Sequence, residues 1–378
     1  MNAPADLRLA TAARYGPELA FNLGANLRAR LAAPGLSCLQ GALAGRTVVC
    51  AGAGPSLDEA LPLLREANLP VIACDMALPC LRAAGVHVTA VVSLDVIAAK
   101  AACLSSRPLL VTTPLAHPAL RRAGAGPVLF AGTALPPLAG LAEPILGEPE
   151  KVAHLAVALA CRLGAARIVL AGVAFALGPD VRAYARGAVL APQHVARYEA
   201  PPPGFVRVLA NSGERIWSWP NMPAYAAGFA RALAGFTGQA VNSSSRGAVI
   251  PGFPYQPLEV FCQAVGGPVH LVARGGAGCD ARPVLEELQA QAQAALAACR
   301  SVATAAEVAR HDPRAALPAP PQGPVVAALR ALQPQIEQHA ADLPPTGREA
   351  AIVARALPWV ALPRLLEPFL RGLEEALG

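Results

Sequence analysis

The segment that most constrains the fold is residues 46–58, where a strand, a glycine turn and a helix start follow one another directly. The β-preferring apolar run Thr47–Cys50 leads into the turn Gly52-Ala-Gly-Pro-Ser56, and an amphipathic pattern follows, with Glu59 three residues after Ser56. This spacing predicts Ser56 as a helix N-cap in a capping box with Glu59. In open α/β sheets such a turn favours phosphate at the helix N-terminus. The alternative is a tight turn that needs glycine for its conformation alone.

The residues of the turn match neither of two common nucleotide-binding motifs. Leu57 stands where the dinucleotide fingerprint has its third glycine, and the P-loop signature is absent because no Gly-Lys-Ser or Gly-Lys-Thr occurs. A methyltransferase-like turn stays open, with Asp75 as the ribose acceptor. The turn therefore indicates a nucleotide or a phosphate, and does not choose between them.

Short apolar segments alternate with helical ones from residue 46 to about residue 262, which predicts a mostly parallel sheet of the Rossmann-like α/β class with helices on both faces. Helical patterns precede and follow this core, and a proline-dense linker spans residues 313–324. We expect a helical segment at 1–45, a nucleotide-binding domain at 46–265 and a helical region at 266–378. The predicted strands are Thr47–Gly52, Val71–Asp75, Thr89–Leu94, Leu109–Thr113, Val128–Gly132, Ile168–Gly172, Val206–Leu209 and Ala240–Ser243.

Composition bounds the class of protein. The mean hydropathy of +0.42 suggests a membrane protein, but the most apolar stretch, Val152–Leu177, is interrupted by Arg162 and Arg167. The N-terminus lacks a basic start and an apolar core, so no signal peptide is expected. We predict a cytoplasmic protein that does not bind a membrane.

Charge and cysteines exclude further classes. The net charge of +6 rests almost wholly on scattered arginines, since Lys100 and Lys151 are the only lysines, and this spacing argues against a nucleic-acid surface. The nine cysteines form no Cys-x-x-Cys pair, so neither a disulfide framework nor a zinc site is indicated.

Polar and small residues collect where the predicted strands end. Because ligands bind outside the carboxyl ends of strands in open α/β sheets, these residues are expected to meet in one crevice. Each of them alone is equally consistent with an ordinary cap or turn. The predicted nucleotide-binding set is Gly52, Gly54, Pro55, Ser56, Asp75, Ser93, Thr112, Thr113, Gly132, Thr133 and Gly172.

Two residues are candidates for acid–base chemistry. Asp95 closes the third strand, and a strand-end aspartate can accept from ribose, hold Mg²⁺ or act as a base. His154 lies near the start of a predicted helix facing the crevice, with packing as its alternative role. For Asp75 the alternative is a cap on Met76.

The segment 242–252 is the second distinctive feature. Asn242 and Ser243 offer short polar groups at a strand end, and Gly247 permits close approach, so these three are predicted to contact a sugar or an acceptor hydroxyl. The alternative is an Asx-type turn.

These blocks together resemble the motility accessory factor (Maf) flagellin glycosyltransferases and their MptE-like relatives, the archaeal 6-hydroxymethylpterin pyrophosphokinases. The resemblance covers about residues 46–255 and rests on the order and spacing of its blocks. Those blocks are Gly52–Asp58, Asp75–Leu81 with Gly85-Val86, Val92–Asp95, Val152–Ala156, Leu163–Ala165, Ile168–Gly172, Asn242 and Arg246–Gly252.

The resemblance implies a Rossmann-like core similar to that of sialyltransferases. It implies transfer of a pseudaminic- or legionaminic-type nonulosonic acid from a CMP-sugar donor to Ser or Thr of flagellin, without a metal or another cofactor. The MptE-like alternative implies ATP and Mg²⁺. The chain departs from the family at Ala174, where an aspartate is common, so a non-catalytic nucleotide-binding paralogue is a third possibility.

Overall fold

The computed structural model describes residues 3–132, 146, 150–189, 194–262, 267–273, 281–311, 317–331, 333, 356–359 and 361–377. Its centre is a seven-stranded sheet in which every neighbouring pair is parallel. The spatial order is β5-β4-β3-β2-β1-β6-β9. The strands of this sheet are β1 (Thr47–Ala51), β2 (Val71–Cys74), β3 (Ala90–Val92), β4 (Leu109–Thr112), β5 (Val128–Phe130), β6 (Arg167–Ala171) and β9 (Gln239–Asn242).

The predicted α/β class is confirmed, and each predicted strand is found with ends shifted by one or two residues, apart from one misplacement. Val206–Leu209 (β7) does not join the parallel sheet; it pairs antiparallel with Arg215–Ser218 (β8), which the sequence pattern did not reveal. Both hairpin strands are largely exposed, and they alternate residue by residue instead of forming the apolar run of a central strand.

Helices cover both faces of the sheet, because successive residues of each strand point to opposite sides. Val48 and Cys50 pack with helix α5 on one face, whereas Val49 and Ala51 pack with α2 on the other. The helices are α1 (Ala3–Ala32), α2 (Leu57–Ala67), α3 (Leu78–Ala83), α4 (Pro118–Arg122), α5 (Val152–Arg162), α6 (Met222–Ala232), α7 (Glu259–Cys262), α8 (Arg282–His311), α9 (Pro324–Arg330) and α10 (Pro363–Leu377).

The two ends of the chain meet in a third cluster. Leu23 and Leu27 of α1 pack with Leu285 of α8 and with Phe369 and Leu373 of α10. The helical segments predicted at opposite ends of the sequence therefore share one hydrophobic core. No helix in the described part of the chain is long and apolar enough to cross a membrane.

Candidate functional site

A cavity of about 410 Å³ opens at the carboxyl ends of β1, β2, β3 and β6. It is the crevice that the strand-end residues predicted. Five of the predicted residues line it, namely Gly52, Gly54, Asp75, Asp95 and Gly172, together with Lys100, Lys151, Ala174, Tyr184, His194 and Trp219.

The glycine turn is closed by the protein's own backbone. The N–H of Gly54 donates to the carbonyl oxygen of Gly172 at 2.7 Å, and the N–H of Gly52 donates to Ala171 at 2.8 Å. Gly172 adopts a left-handed φ of 66° that brings its carbonyl under the turn. These two donors are therefore not free for phosphate, although both glycines line the crevice.

Ser56 occupies the predicted N-cap position of α2, but its side chain makes no capping bond, so the predicted capping box is wrong. Its hydroxyl instead lies 2.8 Å from the hydroxyl of Ser244. Pro55 and Ser56 line a neighbouring cavity of about 370 Å³ beside Asp58 and Arg246. The backbone of Ser56 is already helical, which explains why its hydroxyl does not reach back over the first turn.

Asp75 is the centre of a buried polar network. Its Oδ1 accepts from the N–H of Met76 at 2.7 Å, and its Oδ2 accepts from the Ser93 hydroxyl at 2.6 Å. The Thr112 hydroxyl in turn donates to the carbonyl of Ser93 at 2.8 Å. Burial raises the pKa of Asp75, while the hydrogen bond from Ser93 and the charge of Lys100 oppose that rise.

The network has a structural consequence. It ties together the ends of β2, β3 and β4, and it confirms the capping role of Asp75 on Met76. Thr113 is buried and Gly132 half-buried, and neither lines the crevice; Thr133 lies outside the described residues.

Asp95 is presented to the crevice from the loop after β3. Its Oδ1 accepts from the N–H of Ile97 at 3.2 Å, and its carbonyl accepts from the N–H of His117 at 2.9 Å. Asp95 is half-buried and lines the crevice, and among the described residues no hydrogen bond to its second carboxylate oxygen, Oδ2, is found. The position therefore suits a base or an acceptor of hydroxyl groups.

His154 does not reach the crevice. It is 1% exposed; its Nε2 donates to the carbonyl of Tyr225 on α6 at 2.8 Å, and its ring stands edge-on to Phe229 with 4.6 Å between centroids. Burial lowers its pKa to about 4, so the imidazole is neutral near pH 7. The structure places His154 in the packing between α5 and α6, which corresponds to the alternative role.

The segment after β9 likewise forms a turn away from the cavity. The Oδ1 of Asn242 accepts from the N–H of Ser244 at 3.0 Å, which is an Asx turn, and the hydroxyl of Ser243 donates to the carbonyl of Leu170 at 2.7 Å. Gly247 sits against Ala174 and bonds through its carbonyl to Asn211. None of the three predicted acceptor residues lines the crevice.

Sequence reasoning missed the basic side of the crevice. Lys100 is 5% exposed in the 3₁₀ turn Ala98–Leu104, with its Nζ 3.4 Å from His194 Nδ1 and beside the Met76 sulfur. Lys151 directly precedes α5, and its Nζ lies 4.2 Å from the centre of the Tyr225 ring. The available signal was that these are the two lysines of the chain.

Metal-ligating side chains do not gather here. Across the described ranges, no group of three or more His, Cys, Asp or Glu residues is arranged to hold a metal ion. Each oxygen of Asp75 accepts one hydrogen bond from the protein, and Asp95 and Glu150 are the other carboxylates that line the crevice in the described structure.

Comparison with known proteins agrees with this architecture. Residues 22–180 match the family described as "6-hydroxymethylpterin diphosphokinase MptE-like". The fold is similar to the solved structure of the MAf glycosyltransferase from Magnetospirillum magneticum AMB-1, with a TM-score of 0.55 and 15% sequence identity. The alignment covers 95% of this chain and 58% of that one, and no curated protein sequence matches. The predicted resemblance to both groups is confirmed.

Proposed function

We propose that this protein is a cytoplasmic glycosyltransferase that moves a nonulosonic acid of the pseudaminic or legionaminic type from a CMP-sugar to Ser or Thr of flagellin. The observation that carries the proposal is the crevice at the carboxyl edge of the parallel sheet, in a chain whose fold is similar to that of the solved MAf glycosyltransferase. Anionic nucleotides bind at this edge in open α/β proteins.

The proposed reaction is a displacement at the anomeric carbon of the sugar. The acceptor hydroxyl oxygen attacks the anomeric carbon, the bond from that carbon to the CMP phosphate breaks, and CMP leaves with the bonding electrons. The hydroxyl proton passes to a base, for which the crevice carboxylate of Asp95 is the candidate. Trp219 and Tyr184 also line the crevice, and their aromatic rings supply apolar faces that suit the cytosine ring of CMP or a sugar ring.

The alanine at position 174 raises the question of whether the protein transfers the sugar or only binds the nucleotide. Ala174 lines the crevice at the position where the resemblance to the Maf family implies an aspartate, and its carbonyl accepts from the N–H of Ala248 at 2.8 Å. If a carboxylate at that position is required, the protein binds the nucleotide without transferring the sugar. Turnover with any CMP-sugar excludes this non-catalytic form.

The test is transfer by the purified protein. CMP release from CMP-pseudaminic and CMP-legionaminic acid is followed by chromatography, and the intact mass of flagellin reports the added sugar. Asp95→Asn should lower kcat at least about a hundredfold if Asp95 is the base, without weakening CMP binding. Glu259→Gln, on an exposed residue of α7, is the matched control. An unchanged flagellin mass with both donors contradicts the proposal.

The match over residues 22–180 supports a second candidate, pyrophosphoryl transfer from ATP to a hydroxymethylpterin. In that reaction the pterin hydroxyl attacks the β-phosphorus of ATP and AMP leaves. Among the described residues no group of three or more possible ligands is arranged for Mg²⁺, and each oxygen of Asp75 already accepts one hydrogen bond. AMP formation that depends on pterin, ATP and Mg²⁺, with no CMP-sugar turnover, would favour this candidate over the first.

A further inference from the structure

We infer that Lys100 and Lys151 form the phosphate-binding site of the crevice, in place of the glycine turn. The inference rests on the proposed use of a nucleotide ligand, but it applies equally to CMP-sugars and to ATP. It assigns the negative charge of the ligand to one wall, made of the 3₁₀ turn after β3 and the start of α5.

Both lysines of the chain lie in this cavity, without a carboxylate partner among the described residues. The chain contains 31 lysines and arginines, and its only two lysines both line this one cavity. In the described part of the protein, neither ammonium group has a carboxylate within 4.0 Å. A buried charge without a counter-ion is costly, and an anionic ligand relieves that cost.

The neighbouring charges agree with this assignment. Burial lowers the pKa of Lys151, the positive charge of Lys100 lowers it further, and Asp95 acts in the opposite direction. The pKa of His194 is also lowered, first by burial and then by Lys100. Of the other acidic groups on the lining, Asp75 is held by Ser93 and Met76, and Glu150 pairs with Arg231 at 2.6 Å. With Glu150 balanced by Arg231, Lys100 and Lys151 are matched in number by Asp75 and Asp95 on the lining, but neither lysine contacts those carboxylates within 4.0 Å in the described structure.

The N-terminus of α5, beside Lys151, is better suited to an anion than the N-terminus of α2, beside the glycine turn. At α2 the turn donors are spent on Gly172 and Ala171, and the first helical turn carries Asp58 and Glu59. At α5, an 11-residue helix, the first turn has no acidic residue, and Val152 and Ala153 line the cavity. The N–H of His154 is taken by the carbonyl of Lys151 at 3.0 Å, whereas the N–H groups of Val152 and Ala153 precede the first helical bond and add to the attraction of Lys151 for an anion.

The size of the lysine contribution can be measured without any turnover. Calorimetry compares pyrophosphate, CMP and cytidine on the wild type and on Lys100→Met and Lys151→Met. We expect each variant to bind pyrophosphate and CMP about ten- to a hundredfold more weakly, and cytidine with unchanged affinity. Lys100→Arg and Lys151→Arg should recover part of the loss, because they restore the charge but not the geometry.

Two further variants separate charge at the site from charge in general. Arg65→Gln removes an exposed positive charge remote from the crevice lining and should leave all affinities unchanged. Arg246→Gln lies on the neighbouring cavity by α2. If phosphate binds at the glycine turn, Arg246→Gln weakens pyrophosphate binding and the lysine variants do not, which overturns the inference.

A labelling experiment covers the case in which the methionine variants do not fold. Because the chain has only two lysines, reductive methylation of the wild type followed by peptide mass spectrometry reads each of them directly. Pyrophosphate should slow labelling of both lysines at least about fivefold, by occupying and neutralising the site, and cytidine should not. Equal labelling rates with and without pyrophosphate overturn the inference.

The outcome is separable from that of the proposed function. Lysine-dependent phosphate binding without transfer from any CMP-sugar keeps the site and rejects the glycosyltransferase. Flagellin glycosylation with unchanged affinities in the folded Lys100→Met/Lys151→Met double variant keeps the enzyme and rejects the site.

Discussion

The backbone N–H of Gly54 donates a hydrogen bond of 2.7 Å to the carbonyl oxygen of Gly172. The bond joins the turn after β1 to the turn after β6, two strands that lie side by side in the sheet. A Cβ atom at Gly54 would stand 2.6 Å from that same oxygen and 3.2 Å from the Cβ of Ala174. Gly54 thus makes room for another backbone segment, and its importance for the fold does not depend on a ligand.

Gly54→Ala is therefore expected to destabilise the protein, because the added methyl group forces the two turns apart. The free energy of unfolding should fall by about 1 to 3 kcal/mol, as for overpacked sites in general. Urea denaturation followed by circular dichroism measures it.

Gly267→Ala is the matched control, since a Cβ there meets no atom within 4 Å. Its stability should match that of the wild type within about 0.5 kcal/mol. A Gly54→Ala protein of wild-type stability that has lost CMP binding would show that this methyl group fills ligand space, contrary to the geometry.

The sequence predicted where the crevice lies, because glycine turns and aspartates at strand ends are local patterns and the carboxyl ends of parallel strands share one edge. It did not predict what occupies the hydrogen-bonding groups of those residues. The partner of Gly54 is Gly172, and that of Asp75 is Ser93, both brought near by the sheet order. Tertiary contacts of this kind leave no periodic pattern in the chain.

The burial of His154 is expected to make the protein less stable in acid. Its pKa is lowered to about 4 in the folded protein against 6.5 for an ordinary histidine. Between these values the unfolded chain takes up a proton that the folded protein does not, so stability falls as the pH decreases from about 6.5 to about 4. The loss attributable to His154 should be about 2 to 3 kcal/mol at pH 4.5 relative to pH 7.

Urea denaturation at both pH values, on the wild type and on His154→Gln, isolates this contribution. Glutamine retains a donor for the carbonyl of Tyr225 but does not titrate, so the variant should lose less stability on acidification. Parallel pH profiles for the wild type and His154→Gln would mean that the pKa of His154 is not lowered in the folded protein.

Arg107 joins the start of β4 to the segment 121–127, at the end of the strand opposite the crevice. Its guanidinium donates to five backbone carbonyls, those of Pro108, Gly124, Gly126, Pro127 and Arg121, at 2.7 to 3.2 Å. Arg107→Met leaves these oxygens without their donor, and stability should fall by about 3 kcal/mol. Thermal and urea unfolding measure the change.

Arg122→Met is the comparison for Arg107→Met. Arg122 makes an ion pair with Glu375 in which both side chains are exposed, so its loss should cost less than about 1 kcal/mol. Equal losses for the two variants would show that the carbonyls around Arg107 find water in its place.

The position of Lys100 in the crevice could not be predicted from the sequence, because it too depends on tertiary contacts. Its neighbours Met76 and His194 come from separate segments, and a lysine in an Ala-rich run reads as a solvated side chain. Only the fold shows that the loop from Asp95 to Lys100 bends over the crevice. Helix α1 is hydrogen-bonded to that loop through Asn22.

The amide of Asn22 on α1 donates to the carbonyls of Val96 and Leu115, both at 3.0 Å. Val96 follows Asp95 directly, so Asn22 fixes the segment that carries the proposed base and leads to Lys100. Asn22→Leu should lower stability by about 1 to 2 kcal/mol and should also weaken CMP binding, because the loop is no longer held over the crevice. Calorimetry with CMP and urea denaturation on the same preparation measure both effects.

Asn26, one turn further along α1, separates the two effects. Its amide donates to the carbonyls of Pro114 at 3.0 Å and Ala116 at 2.7 Å, which belong to the loop after β4 and do not line the crevice. Asn26→Leu should cost at least as much stability as Asn22→Leu, because it removes two amide bonds and also the Oδ1 that accepts from Arg121 Nε at 2.9 Å, yet it should bind CMP like the wild type. Equal loss of CMP affinity in both variants would show that α1 supports the crevice as a whole and that the contact with Val96 has no special part in ligand binding.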